Sequence, residues 1–130
     1  MNNQEAFDRS AKHLLTQAIP ATNKKGMCAY RGVNNTKCAI GALIPDDIYN
    51  VDMEGRPVKF LIDNNNAIKN LFENVNRYFL RDLQRCHDRA AMDGMDFYGN
   101  DLKIFKQLII KNFSDLAINY NLNTDVLREV

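Results

Sequence analysis

Two stretches of this chain repeat their apolar residues at helical spacing, over lengths that leave few architectures open. Ile68, Leu71, Phe72, Val75, Phe79, Leu83, Cys86 and Ala90 share one face, and Leu102, Phe105, Ile109, Phe113, Leu116 and Tyr120 share another. A helix with one apolar stripe must bury it against a partner, so two such segments in 130 residues specify a helical core. A third segment, Asn3 to Ile19, keeps the same period through Ala6, Phe7, Ala11, Leu14, Leu15 and Ala18. Asn2 or Asn3 can cap it and Pro20 can stop it. The 68–90 stretch is one helix or two, because Tyr78, Phe79 and Leu80 blur the period.

The rest of the chain is broken by turn formers. Asn23, Gly26, Gly32, Asn34 and Asn35 punctuate Pro20 to Thr36, where Met27–Arg31 and Thr36–Ala39 either pair as a hairpin across Gly32–Asn35 or remain a loop. Ala39–Ile44 is a short apolar run ended by Pro45, and Pro45-Asp46-Asp47 reads as the start of one helical turn through Tyr49. Val58–Ile62 predicts a short helix stopped by Asn64–Asn66. Met92 to Asn100, with two glycines, predicts a loop, and Asn123-Thr124 can cap a last short helix. The expected fold is a single domain over 1–130, mainly α, with an α+β character only if the small hairpin near 27–39 forms. Gly41 stands alone in an apolar run, which suggests close packing of that run against the long helix around Leu83.

A hydrophobic fraction of 45% with 25% charged residues argues against disorder, and no run of about 18 apolar residues exists to span a membrane. The polar, mixed-charge start from Met1 to Ser10 does not read as an export signal, so the expected compartment is the cytoplasm. Three cysteines, Cys28, Cys38 and Cys86, are then free thiols.

Charge is distributed unevenly. From Arg9 through Pro45 there are six basic residues and no acid, although the whole chain carries only +1. The functional reading is an anion-binding face of Lys24, Lys25, Tyr30, Arg31 and Lys37. In it, Arg31 grips a phosphate as a fork and the Tyr30 ring stacks on a base. An acidic protein could use the same charge without the ring. The competing reading is structural: Arg31 pairs internally with Asp46 or Asp47 and fixes the loop. A second feature is Arg77, Arg81, Arg85 and Arg89, a slanting stripe roughly 18 Å long on one helix. It suits a nucleic-acid backbone or an acidic partner, or else local pairs such as Glu73 with Arg77 and Asp82 with Arg85.

Metal and nucleophile chemistry have weaker grounds. Cys28, Cys38, Cys86 and His87 could supply a Cys3His set, but the tight Cys-x2-Cys knuckle is missing, so no metal and no cofactor are expected. His87-Asp88 with His13 could hold a hydrolytic metal, and Cys38 with His87 could form a nucleophile pair. No catalytic residue is assigned from these, and the plain alternative for His87 is a structural hydrogen bond between the long helix and the loop before it.

The strings Cys28-Ala29-Tyr30-Arg31, Lys37-Cys38-Ala39-Ile40-Gly41-Ala42-Leu43-Ile44-Pro45-Asp46, Tyr49, Met53-Glu54-Gly55 and Leu83-Gln84 followed by His87-Asp88 resemble small proteins encoded by bacteriophages and prophages. The resemblance brings no catalytic residues with it. It implies a cytoplasmic product made during phage growth or carried in a prophage. The expected function is that of a phage accessory protein that acts by binding to interfere with or redirect host machinery, including defence. The expected target is an anionic, nucleotide-like ligand or a host protein complex, and the alternative is a small Cys/His- or metal-dependent hydrolase.

Overall fold

The two long amphipathic segments form the pair on which the rest of the molecule is built. In the computed structural model, which describes residues 1–98 and 102–128, they are α4 (Arg77–Tyr98) and α5 (Leu102–Tyr120). The other elements are α1 (Asn3–Gln17), the strands β1 (Arg31–Gly32) and β2 (Thr36–Lys37), α2 (Val58–Asn64) and α3 (Asn66–Leu71). Short 3-10 turns lie at Val33–Asn35, Gly41–Leu43, Val51–Met53 and Asp125–Arg128. The fold is mainly α with one small antiparallel hairpin, in which Arg31 faces Lys37 and Gly32 faces Thr36. Among the described residues no helix is long and apolar enough to cross a membrane.

The core is the meeting of three apolar stripes. The Phe7 ring of α1 lies 5.3 Å from the Phe113 ring of α5, and the Phe79 ring of α4 meets the Tyr120 ring edge-on at 5.0 Å. Phe7, Leu14, Phe79, Leu83, Ile109 and Phe113 are fully buried. Polar caps fix the ends. Asn2 accepts from the Glu5 N–H to start α1, and Asn76 accepts from the Tyr78 and Phe79 N–H groups to start α4. That second cap settles the ambiguity of the 68–90 stretch: it is two helices, α3 and α4, with Phe72 to Asn76 between them.

Two helix boundaries and one packing neighbour differ from the sequence reading. α1 stops at Gln17 rather than Ile19, because Ala18 turns left-handed (φ 65°) and returns its N–H to the Leu14 carbonyl, two residues before Pro20 can act. Met92 onward is helix, not loop: α4 runs to Tyr98, and Gly94 sits buried where a Cβ would just touch Leu108 of α5. Packing against α5 outweighs the weak helix propensity of glycine there. Gly99 and Asn100, the end of the expected loop, lie outside the described residues. Gly41 is tight as expected, but against a different neighbour. A Cβ on it would lie 2.0 Å from the Tyr30 carbonyl oxygen, so the close approach is to the 28–31 backbone and not to Leu83.

The irregular segment between α1 and α2 is held by side chains of the helices beneath it. His87 accepts from the Ala21 N–H at 3.0 Å, Gln84 from the Ile40 N–H at 3.1 Å, and Gln17 from the Lys37 N–H at 2.9 Å. Ser10 donates to the Ala39 carbonyl. Backbone groups that a loop would otherwise leave unpaired are thus satisfied, and the segment becomes a wall laid against α1 and α4.

Candidate functional site

The acid-free run does not fold into one open cationic face. Lys24 and Lys25 are exposed in the turn closed by Asn23, and neither has an ion pair among the described residues. Arg31 instead pairs with Asp46 at 2.8 Å, donates to the Ile44 carbonyl at 2.6 Å and lies 4.6 Å from the centre of the Tyr49 ring. The Lys37 ammonium shares the same Asp46 at 3.6 Å. These two cations hold the Asp46 carboxyl below its ordinary range. The Tyr30 ring is buried at 6% exposure, and its hydroxyl donates to the Arg56 carbonyl. The internal pairing that competed with the binding-face reading is therefore the geometry observed at Arg31.

One acid organises this corner, and charge counting passed over it. Glu54 accepts from the N–H of Tyr30 at 2.9 Å, from the N–H of Arg31 at 3.0 Å and from the Tyr49 hydroxyl at 2.6 Å. The Tyr49 phenol is pushed up to about 12 by burial and by that bond to Glu54. The signal in sequence was only the Met53-Glu54-Gly55 string, with nothing to show what Glu54 would meet.

The cations that do converge come from elsewhere. A cavity of about 610 Å³ opens between the 28–30 segment, the 54–59 segment and one face of α4. Arg56, Lys59, Arg77, Arg81 and Arg85 line it, together with Tyr78, which is 60% exposed. Three of the four stripe arginines thus share one cavity. Arg89 lines a neighbouring groove with Asn112 and Asp115, and Arg85 borders both. Arg77 pairs with Asp63 at 3.0 Å, not with Glu73, while Arg81 and Arg85 share Asp82 at 3.1 and 3.8 Å. Arg56 and Lys59 have no ion pair among the described residues; the Arg56 guanidinium rests 4.3 Å from the Phe60 ring. Five cations line the cavity against two acids, Glu54 and Asp88, while Asp63 and Asp82, which pair with three of the arginines, stand outside its lining.

The inner wall is different. Cys28, Tyr30, Glu54, Gln84 and Asp88 line it. Asp88 Oδ1 accepts from Gln84 at 2.9 Å and from His87 Nδ1 at 2.9 Å. Because Nε2 of His87 accepts the Ala21 N–H, the ring proton sits on Nδ1. Both ring nitrogens are engaged and the side chain is fully buried, which is the structural role of tying α4 to the loop ahead of it.

Cys28, His87 and Asp88 bring one ligand atom each within 4.8 Å of one another, the one such cluster among the described residues. It does not suit a metal. A cation on Nδ1 would move the proton to Nε2, where it would oppose the Ala21 N–H. His13 does not join the cluster and bonds Gln17 on its own helix. Burial pushes the Cys28 thiol up to about 12, helped by the neighbouring Asp88. Burial does the same for Cys38 and Cys86, both also to about 12, so all three are protonated thiols and weak nucleophiles.

Comparison with known proteins adds no relative. No family model, no curated protein and no solved structure matches this chain.

Proposed function

We propose that the protein acts by binding, and that it holds an anionic, nucleotide-like small molecule in the cavity between the 54–59 segment and α4. The observation that carries this is the convergence of Arg56, Lys59, Arg77, Arg81 and Arg85 on one concavity with an exposed tyrosine at its rim. Guanidinium groups grip phosphate through paired N–H donors, and a concave, partly apolar site is the usual form of a small-ligand pocket. Tyr78, with the Arg81 guanidinium 5.3 Å from its ring centre, offers a surface on which a base can stack. In the phage setting that the sequence pattern implies, such binding withdraws a nucleotide-like ligand from host defence in the host cytoplasm. A second reading, contact with an acidic host protein, is favoured only by the exposed, unpaired Lys24 and Lys25.

Calorimetric titration with GMP and with inorganic pyrophosphate tests the site. Wild type should bind both, more weakly as salt rises. The double variant Arg81→Ala, Arg85→Ala should lose at least tenfold in affinity at unchanged melting temperature, since each charge-assisted bond is worth about 1.5–3 kcal/mol. Lys24→Ala with Lys25→Ala should bind as wild type does. Absence of heat with every anion, or loss of binding in the lysine variant alone, would refute the cavity reading.

A further inference from the structure

The cavity carries both signs of charge, and this bears on what kind of anion it takes. Arg56, Lys59, Arg81 and Arg85 are exposed, while Arg77 and Asp88 are half-buried. None of Arg77, Arg81 and Arg85 pairs with Asp88, although all three line the same cavity; they are answered by Asp63 and Asp82. The other inner acid, Glu54, is occupied by two backbone N–H groups and a phenol. On Asp88 the donors from Gln84 and His87 both fall on Oδ1, and the Cys28 thiol is its other neighbour. A carboxylate offers about four acceptor positions, so acceptor capacity remains on the wall of the cavity.

We infer that Asp88 selects a ligand bearing a hydrogen-bond donor at the end away from its phosphate, namely a nucleotide whose base carries an exocyclic amine. This rests on the anion-binding reading of the cavity and specifies its ligand class. A bare phosphate would meet only the rim. A base without an N–H donor would desolvate the Asp88 carboxylate and return no hydrogen bond, which a site of this kind penalises strongly. Along α4 the seven steps from Arg81 to Asp88 span roughly 10 Å, room for a sugar and a base between the two chemistries.

The experiment is a calorimetric series on the intact protein with AMP, GMP, CMP, purine riboside 5′-monophosphate, whose base has no N–H donor, and inorganic pyrophosphate. The tightest of the three amine-bearing nucleotides should exceed purine riboside monophosphate by at least tenfold. Asp88→Asn keeps a carbonyl oxygen for Gln84 and His87 and presents an NH2 group instead of the second oxygen. With its melting temperature held, it should reduce that nucleotide to the purine riboside level. Equal binding of all four nucleotides overturns the selection by Asp88, while binding of pyrophosphate in the same series leaves the cavity reading standing. Binding of nothing, pyrophosphate included, removes both. Should Asp88→Asn fail to fold, the wild-type nucleotide series alone decides.

Discussion

Removing the Glu54 carboxylate should collapse the corner that joins the hairpin to the cavity. Three donors converge on it: the Tyr30 and Arg31 N–H groups and the Tyr49 hydroxyl, all within 2.6–3.0 Å. A hydrogen bond to a charged group contributes about 1.5–3 kcal/mol, and a buried donor left unpaired costs about 1–3 kcal/mol. All three bonds lie in a half-buried setting where water can replace part of what is lost. Taking the low end for each, Glu54→Ala should cost about 3–5 kcal/mol. That is a large share of the about 5–15 kcal/mol that holds a domain folded, and it should lower the melting temperature by about 10–15 °C.

Glu54→Gln should fall between the alanine variant and wild type. It keeps one acceptor oxygen, but its NH2 group then faces a backbone N–H, donor against donor. Circular dichroism melts of the three proteins measure the series. Because Tyr30 and Glu54 also line the cavity, GMP affinity should fall in the same order. Melting temperatures of both variants within about 1 °C of wild type would refute the reasoning, since that is the scale of an uninvolved surface change.

Gly41→Ala should destabilise by about 1–3 kcal/mol or more, because its Cβ would meet the Tyr30 carbonyl at 2.0 Å and the backbone on both sides is fixed; an unchanged melt would show that the 28–31 segment can retreat. His13 is held below its ordinary value of 6.5, first by burial and then by the positive Lys37 and Arg31. The unfolded chain therefore takes up that proton first as pH falls, so stability is full above about pH 6.5 and declines below it until the folded His13 also protonates. His13→Gln should flatten that part of the stability curve, and an unaltered slope would refute the assignment. The three thiols, each pushed up to about 12, should react slowly with a disulfide reagent in the native protein and all at once on denaturation. A chelator should leave the melt unchanged; a lowered melting temperature would point to a metal held by Cys28, His87 and Asp88.

The helices were legible in sequence because their signal is local. Spacing of Phe7, Phe79, Leu83, Ile109 and Phe113 shows which face is buried, and these residues do form the core. The small hairpin was legible only as one of two alternatives, hairpin or loop. Asn34 and Asn35 take left-handed φ of 59° and 61°, but the strands shrink from 27–31 and 36–39 to Arg31–Gly32 and Thr36–Lys37, with Gly32 in the strand and not in the turn. What failed were endings: α1 stops on a left-handed Ala18 that the sequence does not mark, and α4 continues because of a distant neighbour. Nothing near Gly94 announces that Leu108 will lie beside it, and a glycine there reads as a loop until a second helix covers it. Gly41 shows the same limit from the other side: a tight spot is evident from the residue type, but which backbone it presses against is set by the fold.

Charge misled for a related reason. A run without acids along the sequence is not a region without acids in space, because Asp46 and Glu54 lie just beyond the run and fold back onto it. Asp46 answers Arg31 and Lys37, and Glu54 binds the two N–H groups that begin the hairpin. The arginines of α4 had the opposite fate. Read along the helix, Arg77, Arg81 and Arg85 looked like a solvated face with neighbouring acids, and Asp82 does partner two of them. Their significance comes from Arg56 and Lys59, which approach across a cavity from a separate segment whose one acid, Glu54, is taken up by the Tyr30 and Arg31 N–H groups and the Tyr49 hydroxyl. A cation's availability is thus a property of what the chain folds beside it. In this protein that consideration moves the anion-binding candidate from the loop at 24–37 to the groove along α4.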